Sequence, residues 1–249
     1  MVEEEKIIIV EPPQGVIIKG FNKDGWIPKT EIGRKVKSGE IKSIEEILNT
    51  GVKILEPQIV DMLVPDLQSA LLSIGQSKGK FGGGKKSIWR QTQKKTKEGN
   101  KPNFGCLAVV GNKNGYVGIG FGKSKETMPA REKALRSAKL NLISIRRGCG
   151  SWACGCGTPH SIPFKTVGKC SSAQIVLLPA PIGTGLCIEA ECKKILDLAG
   201  IKDVYANATN SKNRLNLVTA CFSAFKELSK TKVSSKDIEK LGVLRGRNG

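Results

Sequence analysis

The stretch Tyr116-Val117-Gly118-Ile119-Gly120-Phe121-Gly122 constrains this chain more than any other. Its period-two alternation marks a β-strand, and glycine at every second position leaves one whole face without side chains. Such a face packs well only if another backbone comes down onto it. Leu107 to Gly111 is a second apolar run. Asn114-Gly115, between the two runs, is a strong hairpin signal, because tight hairpin turns need positive φ. Ser124 then stands where it can cap a helix over about 125–143. Ala130, Ala134, Leu135, Ala138 and Leu142 form its apolar stripe, with Lys125, Arg131, Lys133, Arg136 and Lys139 largely off it. The expected unit is a sheet with one face of a helix laid on it.

The flanks are read in the same way. Residues 1–24 begin acidic and pass through Ile7-Ile8-Ile9-Val10, which suggests an extended arm with a strand. Ser43 with Glu46 three residues later is a capping-box pattern and predicts a short helix over 43–50. Ile59, Val60, Leu63, Leu67, Leu71 and Ile74 recur at helical spacing, and Pro65 predicts a break or a second helix start. Beyond residue 163, strands are expected at Thr166 to Cys170, Gln174 to Leu178 and about 203–208. Helices are expected over 189–199, stopped by Gly200, and over 214–228. Residues 230–249 read as a polar, basic tail.

Charge narrows the function. Lys+Arg total 41 against 22 Asp+Glu, a formal net charge of +19, which points to a polyanionic partner. No apolar run spans a bilayer and the start is acidic, so no membrane is expected and the cytoplasm is the default location. Most basic residues are lysines, which suit phosphate better than base edges. Aromatic residues are 5%, too few for a reader built mainly on stacking. The basic residues concentrate in 78–101, where Lys78, Lys80, Lys85, Lys86, Arg90, Lys94, Lys95, Lys97 and Lys101 face one acid, Glu98. This is either a solvated loop or a phosphate-binding hairpin.

Three kinds of chemistry are open to these residues. Gly118 to Ser124 has a Walker-like look, but one residue too few separates the glycines, and Gly79 to Lys86 has Lys86 in place of the Mg²⁺-binding Ser/Thr. The strand through Gly118, Gly120 and Gly122 still offers backbone N–H groups to a phosphate, flanked by Lys123 and Lys125. His160 is the chain's only histidine and has no acid nearby in sequence, which argues against a general base. Cys149, Cys154, Cys156 and His160 form C-x4-C-x-C-x3-H, a set that could close a tetrahedral zinc site; the alternative is a group of packed thiols. No cofactor is required by the remaining residues, and an enzyme is not expected.

The stretches LAVVGNKNGYVGIGFGKSKE and AREKALRSAKLNLISIRRGCGSWACGCGTPHSIPF strongly resemble the small-subunit ribosomal protein five family, in its archaeal branch. The likeness continues through VGKCSSAQIVLLPAPIGTGL, KKILDLAGIKDVYANAT and LNLVTACFSAFKEL, and upstream through GWIPKTEIGRKVKSGEIKSIEEI and ILEPQIVDMLVPDL. The resemblance implies an α+β protein. An arm and helix extension (1–59) precede a double-stranded-RNA-binding-like domain (60–147) that carries the basic hairpin 78–101. A Gly/Cys-rich turn (148–163), a small α/β sandwich (164–229) and the tail follow. It also implies a structural constituent of the small subunit. Its partners would be small-subunit rRNA, mRNA at the entry side, and ribosomal proteins four and eight, with protein two a further neighbour. Arg90, Lys94 and Lys95 are then the first expected RNA contacts, with Lys85 and Lys86 beside them and Arg146 and Arg147 clamping RNA at the interdomain turn. Ile182 stands where the family usually carries an arginine. Two rivals are a zinc-dependent RNA regulator acting away from ribosomes and a nucleotide-using enzyme built around 118–125 and 179–185.

Overall fold

The computed structural model describes residues 16–17, 25–77 and 86–246. The strand expected at Ile7 to Val10 and the triglycine at Gly82 lie outside them. In chain order the first half runs β1 (Val16–Ile17), α1 (Glu31–Ser38), α2 (Ile44–Thr50), α3 (Pro57–Leu63), β2 (Gln68–Leu72), β3 (Arg90–Thr96), β4 (Gly99–Gly111), β5 (Tyr116–Ser124), α4 (Thr127–Leu140) and β6 (Leu142–Ser144). A short β7 (Arg146–Arg147) follows. The second half holds β8 (Thr166–Cys170), β9 (Ala173–Pro179), β10 (Leu186–Cys187), α5 (Ala190–Ala199), β11 (Val204–Thr209) and α6 (Arg214–Lys230). The chain closes with α7 (Ser235–Leu241) and β12 (Leu244–Arg245). The fold is α+β, as expected.

The first sheet has the order β1-β2-β4-β5-β6, with β3 also on β4. β2 and β3 share one side of β4, end to end: β2 pairs with residues 107–111 and β3 with residues 99–105. The sheet's two faces follow from the alternation. Gly118, Gly120 and Gly122 point at α4, where a Cβ on any of them would run into the backbone of Ala138, Ala134 or Ala130. Cys106 and Ala108 pack against Ala130 and Ala134 on that face. Leu107, Val109, Val117 and Ile119 point the other way and join Ile195, Leu198, Val218 and Phe225 of α5 and α6 in one apolar cluster. The two halves therefore share a core and are not beads on a linker.

The junction is also hydrogen-bonded. Helix C-termini leave carbonyls without intrahelical partners. Here Lys113 N–H donates to Leu198 O at 2.9 Å and Gly115 N–H to Ala199 O at 3.1 Å, so the β4–β5 loop caps α5. That loop differs from the tight Asn114-Gly115 turn read in the sequence. Its left-handed residues are Lys113 (φ 57°) and Gly115 (φ 95°). The Asn112 carboxamide holds it by accepting from Asn114 N–H at 2.8 Å and Tyr116 N–H at 3.1 Å.

Other expectations change. α2 begins after Ser43 as read, but the Ser43 hydroxyl bonds the Glu46 carboxylate at 2.9 Å and not the backbone. Past Pro65 the chain becomes strand β2, because its backbone pairs antiparallel with the edge of β4. Ser124 ends β5 and does not cap α4, whose N-cap is Glu126. Lys139 is buried, paired to Asp61 at 2.6 Å. The C-terminal segment is ordered onto the body: β12 pairs antiparallel with β7, Leu244 opposite Arg147 and Arg245 opposite Arg146. β10, parallel to β11, went unread because it is two residues long.

Candidate RNA interface and candidate metal centre

β3 and the outer part of β4 stand clear of the rest of the sheet as an exposed hairpin. Directly opposed residues in an antiparallel pair share a face. Lys94 is opposite Lys101, and Arg90 is opposite Gly105. Gly105 is in turn opposite Lys123 on β5. Arg90 and Lys123 thus flank Gly105 on one face, and the Phe121 ring leans over the glycine, where a Cβ would come within 2.9 Å of its Cζ. Phe121 is 46% exposed. The result is a cationic face with one aromatic ring set into it, a combination that can meet both phosphate and a base.

Arg90, Lys94 and Lys123 are brought together on this face. Lys95 lies on the opposite face of the hairpin, opposite Asn100. Lys86 is exposed at an isolated bridge with Ser77, and Lys125 is exposed just ahead of α4. Lys85 lies outside the described residues. Among those residues the hairpin's ion pair is Lys101 with Glu98, 3.1 Å apart on the exposed turn. Sequence reasoning missed Phe121 and Lys101 as members of the face. The alternation of β5, which puts Phe121 opposite the glycine face, was the available signal.

Two expected sites are corrected. Gly118, Gly120 and Gly122 do accept a close backbone, but it is that of α4, so no phosphate reaches them. Arg147 is buried: its Nη2 donates to Asn114 Oδ1 at 2.7 Å and to Gly246 O at 3.3 Å, and burial pushes its guanidinium pKa down. It fastens the C-terminal segment to the β4–β5 loop and is not a clamp on RNA. Arg146 is half-buried opposite Arg245; its Nη1 is enclosed without a hydrogen-bond partner among the described residues. Burial, then the charge of Arg245, pushes its pKa down.

The turn between β7 and β8 gathers Cys149, Cys154, Cys156 and His160. One donor atom from each lies within 4.8 Å of all the others. Cys154 Sγ is 4.0 Å from His160 Nε2. The other ring nitrogen, Nδ1, is 2.8 Å from Asp203 Oδ2, and both side chains are buried. Asp203 Oδ1 accepts from Gly185 N–H at 2.8 Å. The acid for His160 is therefore 43 residues away and was invisible to local sequence reading. Burial pushes the Cys149 thiol up to about 11, while hydrogen bonds from Thr158 hold the exposed Cys156 down to about 6.

Residues 88–146 match the family described as Ribosomal protein S5, N-terminal domain, and residues 168–240 match Ribosomal protein S5, C-terminal domain. The protein called small ribosomal subunit protein uS5 in Methanocaldococcus jannaschii is 47% identical over 228 residues, covering 91% of this chain and 98% of that protein. Its namesake in Methanosphaera stadtmanae is 47% identical over 225 residues, 90% of this chain and 92% of that protein. That of Nanoarchaeum equitans is 46% identical over 226 residues, 90% and 97% respectively. The architecture that goes with these matches is two α+β units fused through one apolar core, with a cationic hairpin held out from it. The chain belongs to the ribosomal protein S5 family.

Proposed function

We propose that this chain is a structural constituent of the small ribosomal subunit and that hairpin β3–β4 grips small-subunit rRNA by its phosphates. Family membership supports the first part. One observation carries the second: Lys94 and Lys101 are directly opposed on an exposed hairpin. Like charges directly opposite destabilise a strand pair, and a polyanion lying across them removes that cost. Arg90 and Lys123 continue the same face towards the body, with Phe121 between them. Arg146 and Arg245 offer a second pair of cations where β7 meets β12. Proteins four and eight, with protein two, are the neighbours the family resemblance implies, and mRNA at the entry side is the further partner. The work is scaffolding in the cytoplasm, with support for accuracy and mRNA unwinding, and calls for no catalysis. No helix among the described residues is long and apolar enough to cross a membrane.

The test is a salt series of rRNA binding by the full chain and by the Arg90→Gln, Lys94→Gln, Lys123→Gln triple variant, all three on the cationic face. Each phosphate contact contributes about 0.7–0.9 to the slope of log K against log salt, so the triple variant loses roughly 2–3 of it. The loss falls similarly on unrelated RNA sequences. An unchanged slope removes the hairpin from the interface. Sedimentation away from small subunits at physiological salt favours the regulator that acts off the ribosome.

A further inference from the structure

The turn between the two halves is built like a closed metal site, independently of any RNA contact. We propose that Cys149, Cys154, Cys156 and His160 bind one structural Zn²⁺ ion, with Asp203 as the residue that positions the histidine.

The donor set comes first. Three thiolates and one imidazole suit a soft to borderline ion such as zinc and not Mg²⁺ or Ca²⁺, which take oxygen ligands. In a tetrahedral site with Zn–S near 2.3 Å, ligand atoms sit about 3.8 Å from one another. The four donor atoms lie within 4.8 Å of one another, so a small inward movement completes the shell. With four protein ligands the shell has no open position, which makes the site structural.

The histidine is the second observation. A metal-bound imidazole usually donates its other N–H to a carboxylate, which fixes the tautomer and aims the free lone pair. Asp203 Oδ2 lies 2.8 Å from Nδ1, leaving Nε2 facing the thiols. Asp203 is held from behind by Gly185 N–H at 2.8 Å. Thr158 N–H points at Cys156 Sγ at 3.5 Å, the kind of backbone donor that steadies a bound thiolate.

The backbone around the site explains what the ion would hold. Cys149 N–H donates to Leu241 O at 2.8 Å, at the end of α7. The His160 carbonyl accepts from Lys202 N–H at 2.9 Å and Asp203 N–H at 3.2 Å, just ahead of β11. Gly157 abuts Gly242, which ends α7. One ion would therefore join the 149–160 loop, the C-terminal helix and the second sheet, in a turn that contains neither helix nor strand of its own between Cys149 and Pro159.

The experiment uses the full chain purified under reducing, chelator-free conditions. Elemental mass spectrometry is expected to find one zinc per chain. Thiol alkylation read by peptide mass supplies a test that needs no variant, because Cys156 and Cys187 are both exposed. In the metal-loaded chain Cys187 is labelled and Cys156 is protected; after a chelator both react. Cys154→Ser is expected to lose the zinc while Cys187→Ser keeps it. If Cys154→Ser does not fold, Asp203→Asn decides, with zinc affinity by competition expected to fall about 10- to 100-fold. Equal labelling of Cys156 and Cys187 in the folded chain as purified, bound iron in place of zinc, or a disulfide within the trio would each overturn the site. Unchanged affinity in Asp203→Asn would overturn the positioning role.

Discussion

His160 Nδ1 and Asp203 Oδ2 meet at 2.8 Å, buried, in the seam between the interdomain turn and the second sheet. The same carboxylate takes the Gly185 amide, so one side chain serves two segments. Asp203→Ala strands both donors. An unsatisfied buried donor costs about 1–3 kcal/mol, so we expect a loss of roughly 3 kcal/mol for the pair. Urea unfolding with chelator present checks this, because any share owed to metal is then absent from both proteins. A loss below about 0.5 kcal/mol, the scale of an ordinary surface change, would mean that the seam is held elsewhere.

Gly120 lies under α4, where an added Cβ would collide with Ala138 N and Ala134 O. Backbone atoms cannot swing aside as a flexible side chain can. Gly120→Ala should therefore sit at the upper end of overpacking costs, about 3 kcal/mol. Among the described residues Gly25 has nothing within 4 Å of its would-be Cβ, so Gly25→Ala should stay within about 0.5 kcal/mol. Equilibrium denaturation of the two variants side by side measures the contrast.

Lys94 separates stability from binding. Lys94→Gln relieves the repulsion with Lys101, part of which Glu98 already offsets, so the free chain should gain about 0.2 kcal/mol, the low end for a cross-strand pair. The same change should weaken rRNA binding. Thermal unfolding and binding measured on one preparation read both signs. A variant that loses both would show that Lys94 supports the fold.

Glu56 gives the N-terminal helices a pH dependence. Burial alone would raise its carboxyl pKa. Amide hydrogen bonds from Thr30 and Lys29, with help from the Trp26 indole, outweigh this and hold it below the ordinary 4.5. A carboxyl with a lowered folded-state pKa contributes stability that is complete above its unfolded value and is lost as pH falls through the folded one. Trp26 fluorescence, in a background with Trp89 and Trp152 changed to Phe, should therefore report loosening only below about pH 4.5. Glu56→Gln should remove that acid dependence.

Much of this was legible in the sequence, for physical reasons. The glycine face of β5 and the alanine stripe of α4 are local periodicities, and each predicts the other because an uncovered glycine face needs a close backbone. The hairpin was legible as charge density and the Cys/His cluster as spacing. The rest depended on partners far along the chain. Arg147 looks like any interdomain cation until Asn114 and Gly246 are seen around it. Lys139 reads as a surface lysine until Asp61, 78 residues earlier, is seen to neutralise it. β2 carries helical spacing by coincidence, and docking on β4 decides its conformation. Phe121 is not legible as a contact because a low aromatic content says nothing about where one ring sits, and only the pairing of β4 with β5 sets it beside Gly105 and Lys123.

The shared core sets an order of events during synthesis. The chain emerges from its N-terminus, so β4 and β5 are complete well before α5 and α6 exist. Until then Leu107, Val109, Val117 and Ile119 form an uncovered apolar face, and the β4–β5 loop has no helix end to cap. The nascent first half is thus a sticky intermediate that matures only when its own later residues arrive. A stop between the end of β5 and the start of α5 would leave behind a half-domain with its apolar face open, ready to aggregate.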